Sequence, residues 1–260
     1  MNSNYRTLVI VVTFNRCNLL VRCINNILEQ SIKPDELLVI NNGSTDNTLE
    51  TLNKFNIKII SQDNLGSAGG WARGIEYAID NDFDAVWLMD DDGYPDINAY
   101  AELLNVMHEN VSCASSIVVK ENNPNNFVFP YPILNNDLLP VILSMPRKIF
   151  KVKELIDISK NGTYPFAHFF NGALISIKFI KEIGNVNKDF FIYGDELDYL
   201  YRLRKVGKVV SVLRALHFHP DVTKRPYNSI KIYYYIKNTI ILNYRYYDYP
   251  LLRSFLSLLI

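Results

Sequence analysis

Residues 85–92 read Ala85-Val86-Trp87-Leu88-Met89-Asp90-Asp91-Asp92, five apolar residues running directly into three aspartates. An unbroken apolar run of this length suits a strand buried on both faces, as in a parallel sheet covered by helices. The triplet then lies at the carboxyl end of that strand, where open α/β sheets bind their ligands. Side chains alternate faces along an extended chain, so Asp90 and Asp92 can face one ion. Three adjacent negative charges repel each other, and a divalent cation with oxygen ligands offsets them. The plainer alternative is a solvated acidic turn, because Gly93 and Pro95 follow. A surface turn has no need of a wholly apolar lead-in.

The surrounding chain alternates short apolar runs with helical spacings. Strands are expected over residues 7–12, 36–40, 57–60 and 85–89, with helices over 19–28, 47–55 and from the glycine-rich stretch 64–70 through residue 78. Strand–helix alternation with short connections predicts an α/β fold with a mainly parallel, Rossmann-like sheet and right-handed crossovers. Its polar clusters fall where strands end and helices begin, and so converge on one sheet edge. Further helices are expected over 99–108, 178–183 and 197–206, and strands over 169–175 and 208–213. Residues 120–165, rich in Asn and Pro, read as irregular. Trp71 and Trp87 read as core residues. Asp46 reads as a helix cap, and Asp198 as the partner of Arg202 one turn on.

The chain has 260 residues, 48% of them apolar, enough for a substantial core. Lys+Arg and Asp+Glu both number 27, so there is no global basic field to argue for a nucleic-acid partner. Cys17, Cys23 and Cys113 lack metal-site spacing and read as idle thiols of a reducing cytoplasm. The first residues lack the apolar core of a secretory signal. From Thr223 the composition changes: six basic residues (Lys224, Arg225, Lys231, Lys237, Arg245, Arg253) face one acid, Asp248, among eight of the seventeen tyrosines. No apolar run there reaches the roughly 20 residues that span a bilayer. Such a helical tail suits peripheral contact with an anionic membrane face, or else packing on the body of the protein or on a second copy in a homodimer.

The order of motifs resembles glycosyltransferase family 2. The match runs through Val11-Val12-Thr13-Phe14-Asn15-Arg16, Asn41-Asn42-Gly43-Ser44-Thr45-Asp46, Asn64-Leu65-Gly66 with Gly69-Gly70-Trp71-Ala72-Arg73-Gly74, and Asp90-Asp91-Asp92. It continues through Gly194-Asp195-Glu196-Leu197-Asp198-Tyr199-Leu200-Tyr201-Arg202 and His219. The triplet and the Gly-Gly-x-x-Arg-Gly stretch look like the galactofuranosyltransferase-like branch, which also includes rhamnosyltransferase-like members.

The resemblance implies a GT-A fold, a nucleoside-diphosphate sugar donor such as a UDP-sugar, a Mn2+ or Mg2+ ion, and inversion at the anomeric carbon. A glycan or glycolipid acceptor follows, such as a lipid-linked bacterial O-antigen or capsule chain. On this reading Asp90, Asp92 and His219 hold the metal, with His217 the alternative histidine, and Asp91 faces the donor's sugar or ribose. Thr13, Phe14, Asn15, Arg16, Asn41 and Asn42 meet the base and ribose; Asn41 stands where the family often has Asp. Asn64, Gly69, Gly70 and Arg73 form the loop nearest the diphosphate and sugar. Phe170-Asn171-Gly172-Ala173 matches the acceptor-side segment. An inverting displacement needs a base for the acceptor hydroxyl. The acidic pair points to Glu196 with Asp195 still in play, since the common form has Asp at the second place. The implied organisation is a donor half, 1–119, an acceptor half, 120–222, and the tail, 223–260. Two other classes remain: a sugar-phosphate nucleotidyltransferase, which would place a glycine-rich loop after the first strand where Thr13-Phe14-Asn15-Arg16 has none, and a non-catalytic scaffold, which would lose its carboxylates.

Overall fold

The structure, a computed structural model, describes residues 5–142, 145–221 and 229–258. In chain order the elements are β1 (Thr7–Thr13), α1 (Cys17–Leu28), β2 (Glu36–Asn41), α2 (Thr48–Leu52), β3 (Lys58–Ser61), α3 (Gly66–Asp80) and β4 (Ala85–Asp90). There follow β5 (Tyr94–Pro95), α4 (Ala99–Leu104), β6 (Val111–Lys120), β7 (Asn123–Pro132), β8 (Lys148–Lys151), α5 (Val152–Ile158) and β9 (Thr163–Tyr164). The remainder is β10 (Asn171–Ser176), α6 (Ile177–Ile183), α7 (Asp195–Arg204), β11 (Lys208–His219), α8 (Ser229–Tyr246) and α9 (Pro250–Leu258).

The sheet runs β3-β2-β1-β4-β10-β6-β11-β5. Its first four strands are mutually parallel, with Thr13 opposite Asn41 and Val12 opposite Asp90. The ends of β1, β2 and β4 therefore lie side by side, which brings the three N-terminal motifs to one edge. β10 runs antiparallel between β4 and β6, and β11 pairs parallel with β6, carrying His219 toward the same edge.

Both faces of the parallel half are covered. Leu8, Ile10, Leu38 and Ile40 pack with Trp71 and Ile75 on one side. Val9, Val11 and Val39 pack with Leu20, Cys23, Ile24 and Ile27 of α1 on the other. This is why the strands read as unbroken apolar runs. Trp71 and Trp87 are fully buried, stacked on Phe170 at 4.5 Å and Tyr100 at 5.1 Å.

The expected glycine loop is corrected. α3 begins at Gly66, so Gly69 and Gly70 lie inside the helix, buried. A Cβ on Gly70 would sit 2.5 Å from Val12 Cγ1, and one on Gly69 2.4 Å from Leu65 Cβ. Gly70 lets α3 lie close on β1, and Gly69 makes room for the Leu65 side chain at the start of the same helix. Gly70→Val should cost about 2–3 kcal/mol of stability through overpacking against β1, read as a lowered midpoint of thermal unfolding. An unchanged midpoint would contradict the close helix–strand contact.

Two other expectations change. Residues 120–165 are not irregular: they hold β7, β8, α5 and β9. β6 has no counterpart in the sequence reading, yet nine of its ten residues are buried. Ser112, Ser115 and Ser116 interrupt its apolar pattern while being fully buried. Ser112 Oγ is satisfied by the carbonyls of Leu203 and Lys208 at 3.2 and 3.1 Å.

The tail is helical, as expected. Asn238 anchors α8 to the body, its amide donating to the carbonyls of Phe190, Ile192 and Tyr193 at 2.9, 3.0 and 2.6 Å. Lys224 and Arg225 lie outside the described residues. Ile230, Tyr233, Tyr244, Leu251 and Phe255 are exposed along α8 and α9. Among the described residues no helix is long and apolar enough to cross a membrane.

Candidate active site

β4 ends at Asp90, and Asp91-Asp92 form a turn rather than more strand. Strand alternation therefore stops before the pair. Asp91 and Asp92 are both buried, 2% exposed. Thr13 Oγ1, at the end of β1, donates to Asp91 Oδ2 at 2.7 Å. Arg16 Nη1 donates to both Asp91 Oδ1 at 2.9 Å and Asp92 Oδ2 at 2.8 Å. Burial disfavours the charged guanidinium, but Asp91 and Asp92 outweigh it and hold Arg16 charged.

His219 Nε2 lies 3.0 Å from Asp92 Oδ1. Its Nδ1 is 2.7 Å from the carbonyl of Pro220. A carbonyl only accepts, so Nδ1 carries the proton, which leaves a lone pair on Nε2 in the neutral ring. A lone pair facing a carboxylate oxygen calls for a positive charge between them, either a second ring proton or a metal ion. The Asp92–His219 pair thus fits a divalent cation as two protein donors. Among the described residues no three His, Cys, Asp or Glu side chains are grouped to hold an ion. Asp90 accordingly does not join Asp92 and His219, a correction that follows from the turn at residue 91.

Asp90 closes β4 beside the pair. Its carboxyl is pushed well above the usual range by burial, then by Asp92 and Asp91, with Glu196 adding to the effect. Asp91 is also raised by burial, while Arg16 and Thr13 pull it back. Gly194, at φ +88°, turns the chain into α7. Asp195 follows at 1% exposure, accepting from Ser67 Oγ at 3.4 Å. Burial, the charge of Glu196 and a hydrogen bond shared with Glu196 push the Asp195 carboxyl well up. Two carboxyls sharing a hydrogen bond hold one proton between them, and burial favours it on Asp195, the buried member. Glu196 is the half-exposed one. Capping of α7 is compatible with this, since the positive end of the helix favours the negative charge.

A carboxyl raised in the folded state contributes stability below its unfolded pKa and loses it as pH rises through the folded one. The contribution of Asp195 should therefore fade upward from about pH 4. Asp195→Asn should flatten the pH dependence of the unfolding midpoint on that side relative to wild type. Identical profiles for the two proteins would rule out a proton held at Asp195.

The asparagines expected at the base and ribose are largely engaged in holding loops. Asn15, at φ +54°, accepts from Thr45 N at 2.7 Å and its N–H donates to Ser44 Oγ at 3.0 Å. Asn41 Oδ1 accepts from Ser44 N at 3.1 Å. Asn42 is buried, donating to the Gly66 carbonyl at 2.9 Å and accepting from Gln62 Nε2 at 2.9 Å and Leu65 N at 3.2 Å. Asn64 Oδ1 accepts from Gly66 N at 3.0 Å. These contacts tie the ends of β1 and β2 to the start of α3. Phe14 is exposed. Arg73 is exposed and pairs with Glu76 at 3.8 Å on its own helix. Asp46 lies one residue before the N-cap of α2, Asn47, and accepts from Thr48 N at 3.1 Å. Asp198 pairs with Arg202 at 2.9 Å, as expected, and also accepts from Tyr246 of α8 at 2.7 Å.

Arg22 is a residue the sequence did not single out. It donates to the Asp92 carbonyl at 2.9 Å and to Glu121 at 2.8 Å, beneath the Tyr94 ring. Its position on an amphipathic helix carries no signal of this. His217, the alternative histidine, is fully buried, and burial pushes its pKa down to about 3. A Cβ on Gly93 would come 2.1 Å from His217 Nε2, so the neutral ring fills the space under the turn of the triplet.

Comparison with known proteins shows the family and the fold. Residues 8–175 match the family described as glycosyl transferase family 2. A galactofuranosyltransferase of Mycolicibacterium smegmatis is 29% identical over 218 residues, 81% of this chain and 70% of that protein. One of Mycobacterium tuberculosis is 30% identical over 219 residues, 81% and 69% respectively. Among solved structures, GalNAc-T7 with UDP, GalNAc and Mn2+ superposes with a TM-score of 0.69 at 15% identity, covering 96% of this chain. The chain spans 49% of that structure's length. A mannosyltransferase from Pyrobaculum calidifontis in complex with GDP-Man and Mn2+ gives 0.63 at 17% identity, over 92% of this chain and 62% of that one. The GT-A fold expected from the motifs is borne out.

Proposed function

The chain belongs to glycosyltransferase family 2, with galactofuranosyltransferase-like relatives, and from this we propose that it is an inverting, Mn2+- or Mg2+-dependent transferase of galactofuranose from UDP-galactofuranose. The acceptor is a lipid-linked bacterial surface polysaccharide of the O-antigen or capsule kind. The observation that carries the reading is the pairing of Asp92 with His219 at 3.0 Å on one sheet edge, where the charge of Glu196 adds to the rise of the Asp90 carboxyl.

Asp92 and His219 would hold a divalent cation, which would neutralise charge on the departing diphosphate. Glu196 takes the proton of the acceptor hydroxyl as general base. Asp195 is its positioning residue, holding the shared proton and aiming Glu196 into the cleft. Thr13 fixes Asp91 from behind, and Phe14 offers an aromatic face to the base. Arg73 remains a candidate for the donor's diphosphate. The two halves, 1–119 and 120–222, serve donor and acceptor. The exposed aromatic and aliphatic side chains of α8 and α9, with the basic residues of the tail, suit peripheral contact with the cytoplasmic membrane face where such acceptors lie. Other hexoses, rhamnose included, are the alternative donors.

The test is a panel of nucleotide sugars assayed for hydrolysis and transfer with manganese or magnesium. UDP-galactofuranose should turn over fastest, and only with the metal present. Preference for another sugar would change the donor; no turnover of any would overturn the assignment.

A further inference from the structure

We propose that Arg16 is a resident counter-cation of the acidic triplet, one that holds Asp92 until the donor's diphosphate draws the guanidinium away, and so couples donor binding to divalent-cation loading. This rests on the cation-dependent reading above.

Arg16 Nη1 lies between Asp91 Oδ1 at 2.9 Å and Asp92 Oδ2 at 2.8 Å. The other oxygen of Asp92 faces His219 at 3.0 Å. Both oxygens of the principal cation ligand are therefore engaged, one by the histidine that would share the ion and one by a competing positive charge. The two carboxylates are 3% exposed and the Arg16 side chain 38%. Arg16 is thus the solvent-facing member, and its departure opens the two carboxylates to an incoming ion.

The carboxylates keep partners when it leaves. Thr13 Oγ1 holds the Asp91 carboxylate at 2.7 Å, His219 Nε2 stays 3.0 Å from Asp92 Oδ1, and Arg22 fixes the Asp92 backbone through its carbonyl at 2.9 Å. The backbone stays fixed. Asn15 is pinned to Thr45 at 2.7 Å, and α1 begins at Cys17. The movement is confined to the flexible arginine side chain.

The charges set the direction of exchange. One guanidinium leaves the triplet net negative, whereas a divalent ion binds the same carboxylate with twice the charge. A diphosphate brings negative oxygens that a guanidinium matches as a fork. Without a diphosphate, Arg16 and the ion compete for Asp92. With one, Arg16 has a better partner and Asp92 is released. Donor and ion then favour each other beyond their direct contact, and the effect is reciprocal. A passive brace would act differently: removing a residue that merely orients Asp92 would weaken ion binding and leave the coupling as it was.

Mn2+ binding to the full chain, followed by the loss of the free-ion paramagnetic resonance signal with and without UDP, separates these cases. Arg16→Ala should bind Mn2+ alone about tenfold more tightly than wild type, the size typical of residues that support a metal ligand. The tightening produced by UDP should shrink by the same factor. Arg16→Lys, which keeps the charge, should stay near wild type. Arg16→Gln repeats the test should the alanine variant unfold, as a thermal midpoint would show. Equal or weaker Mn2+ binding by both neutral variants, or an undiminished UDP effect, overturns the proposal. Asp92→Asn isolates the underlying reading: if it binds Mn2+ as wild type does, the cation site itself is misassigned. If it loses the ion while the Arg16 variants gain nothing, only the role of Arg16 fails.

Discussion

Glu196→Gln should lower turnover of the nucleotide sugar with acceptor by about a thousandfold, within the range a general base supplies, while UDP binding is unchanged. The amide keeps the size of the side chain and its place on α7 but cannot take a proton. Asp195→Asn should act more gently. Asp195 is 1% exposed and holds its proton through burial and its bond to Glu196, so its replacement disturbs the aim of Glu196 rather than removing the base. A split of this kind, measured as kcat with the donor saturating, assigns the two roles. Equal losses in both variants would leave the pair acting as one unit. A larger loss at Asp195 would reverse the assignment.

Asp92→Asn should cost at least about a thousandfold in kcat, comparable to removing preorganised charge stabilisation at a leaving group. The substitution takes one of two protein donors from the ion and leaves His219 Nε2 without its carboxylate partner at 3.0 Å. It also removes one of the two carboxylates that hold Arg16. The fold should survive, since Asp91 and Thr13 keep the turn in place. Activity that persists with the metal chelated, in the wild type and in Asp92→Asn alike, would place the stabilising charge elsewhere.

The parallel half of the fold was legible because its physics is local. A strand covered on both faces must be apolar where it is covered, and residues 8–12, 37–40 and 85–89 are. The triplet was legible for the same reason, since charge directly after such a strand can only lie at its end. β6 was not, because buried serines interrupt its apolar pattern, and the partners of Ser112, the carbonyls of Leu203 and Lys208, lie far away in sequence. Residues 120–165 misled through Asn and Pro, which favour turns in isolation but here sit in strands paired with β6 and with each other.

At the site, residue types were easier to read than directions. Asp90 and Asp92 were expected to share an ion by strand alternation, which the turn at Asp91 breaks. Gly69 and Gly70 signalled close approach correctly, but what approaches is Val12 and Leu65. Asn42 looked like a ligand for the donor and is a buried strut. Arg16 was expected at the base and meets the triplet instead. In each case the deciding partner lies on another element, where a single sequence gives no distance.

The central claim is that Asp92 and His219 together receive the cation that neutralises the departing diphosphate. Diffraction from crystals soaked with manganese and UDP, collected for its anomalous signal, tests it most directly. A manganese peak touching Asp92 and His219 Nε2, with UDP oxygens completing its shell, is the predicted result. UDP bound with no anomalous peak there, and Asp92 still joined to Arg16 and His219, would contradict it.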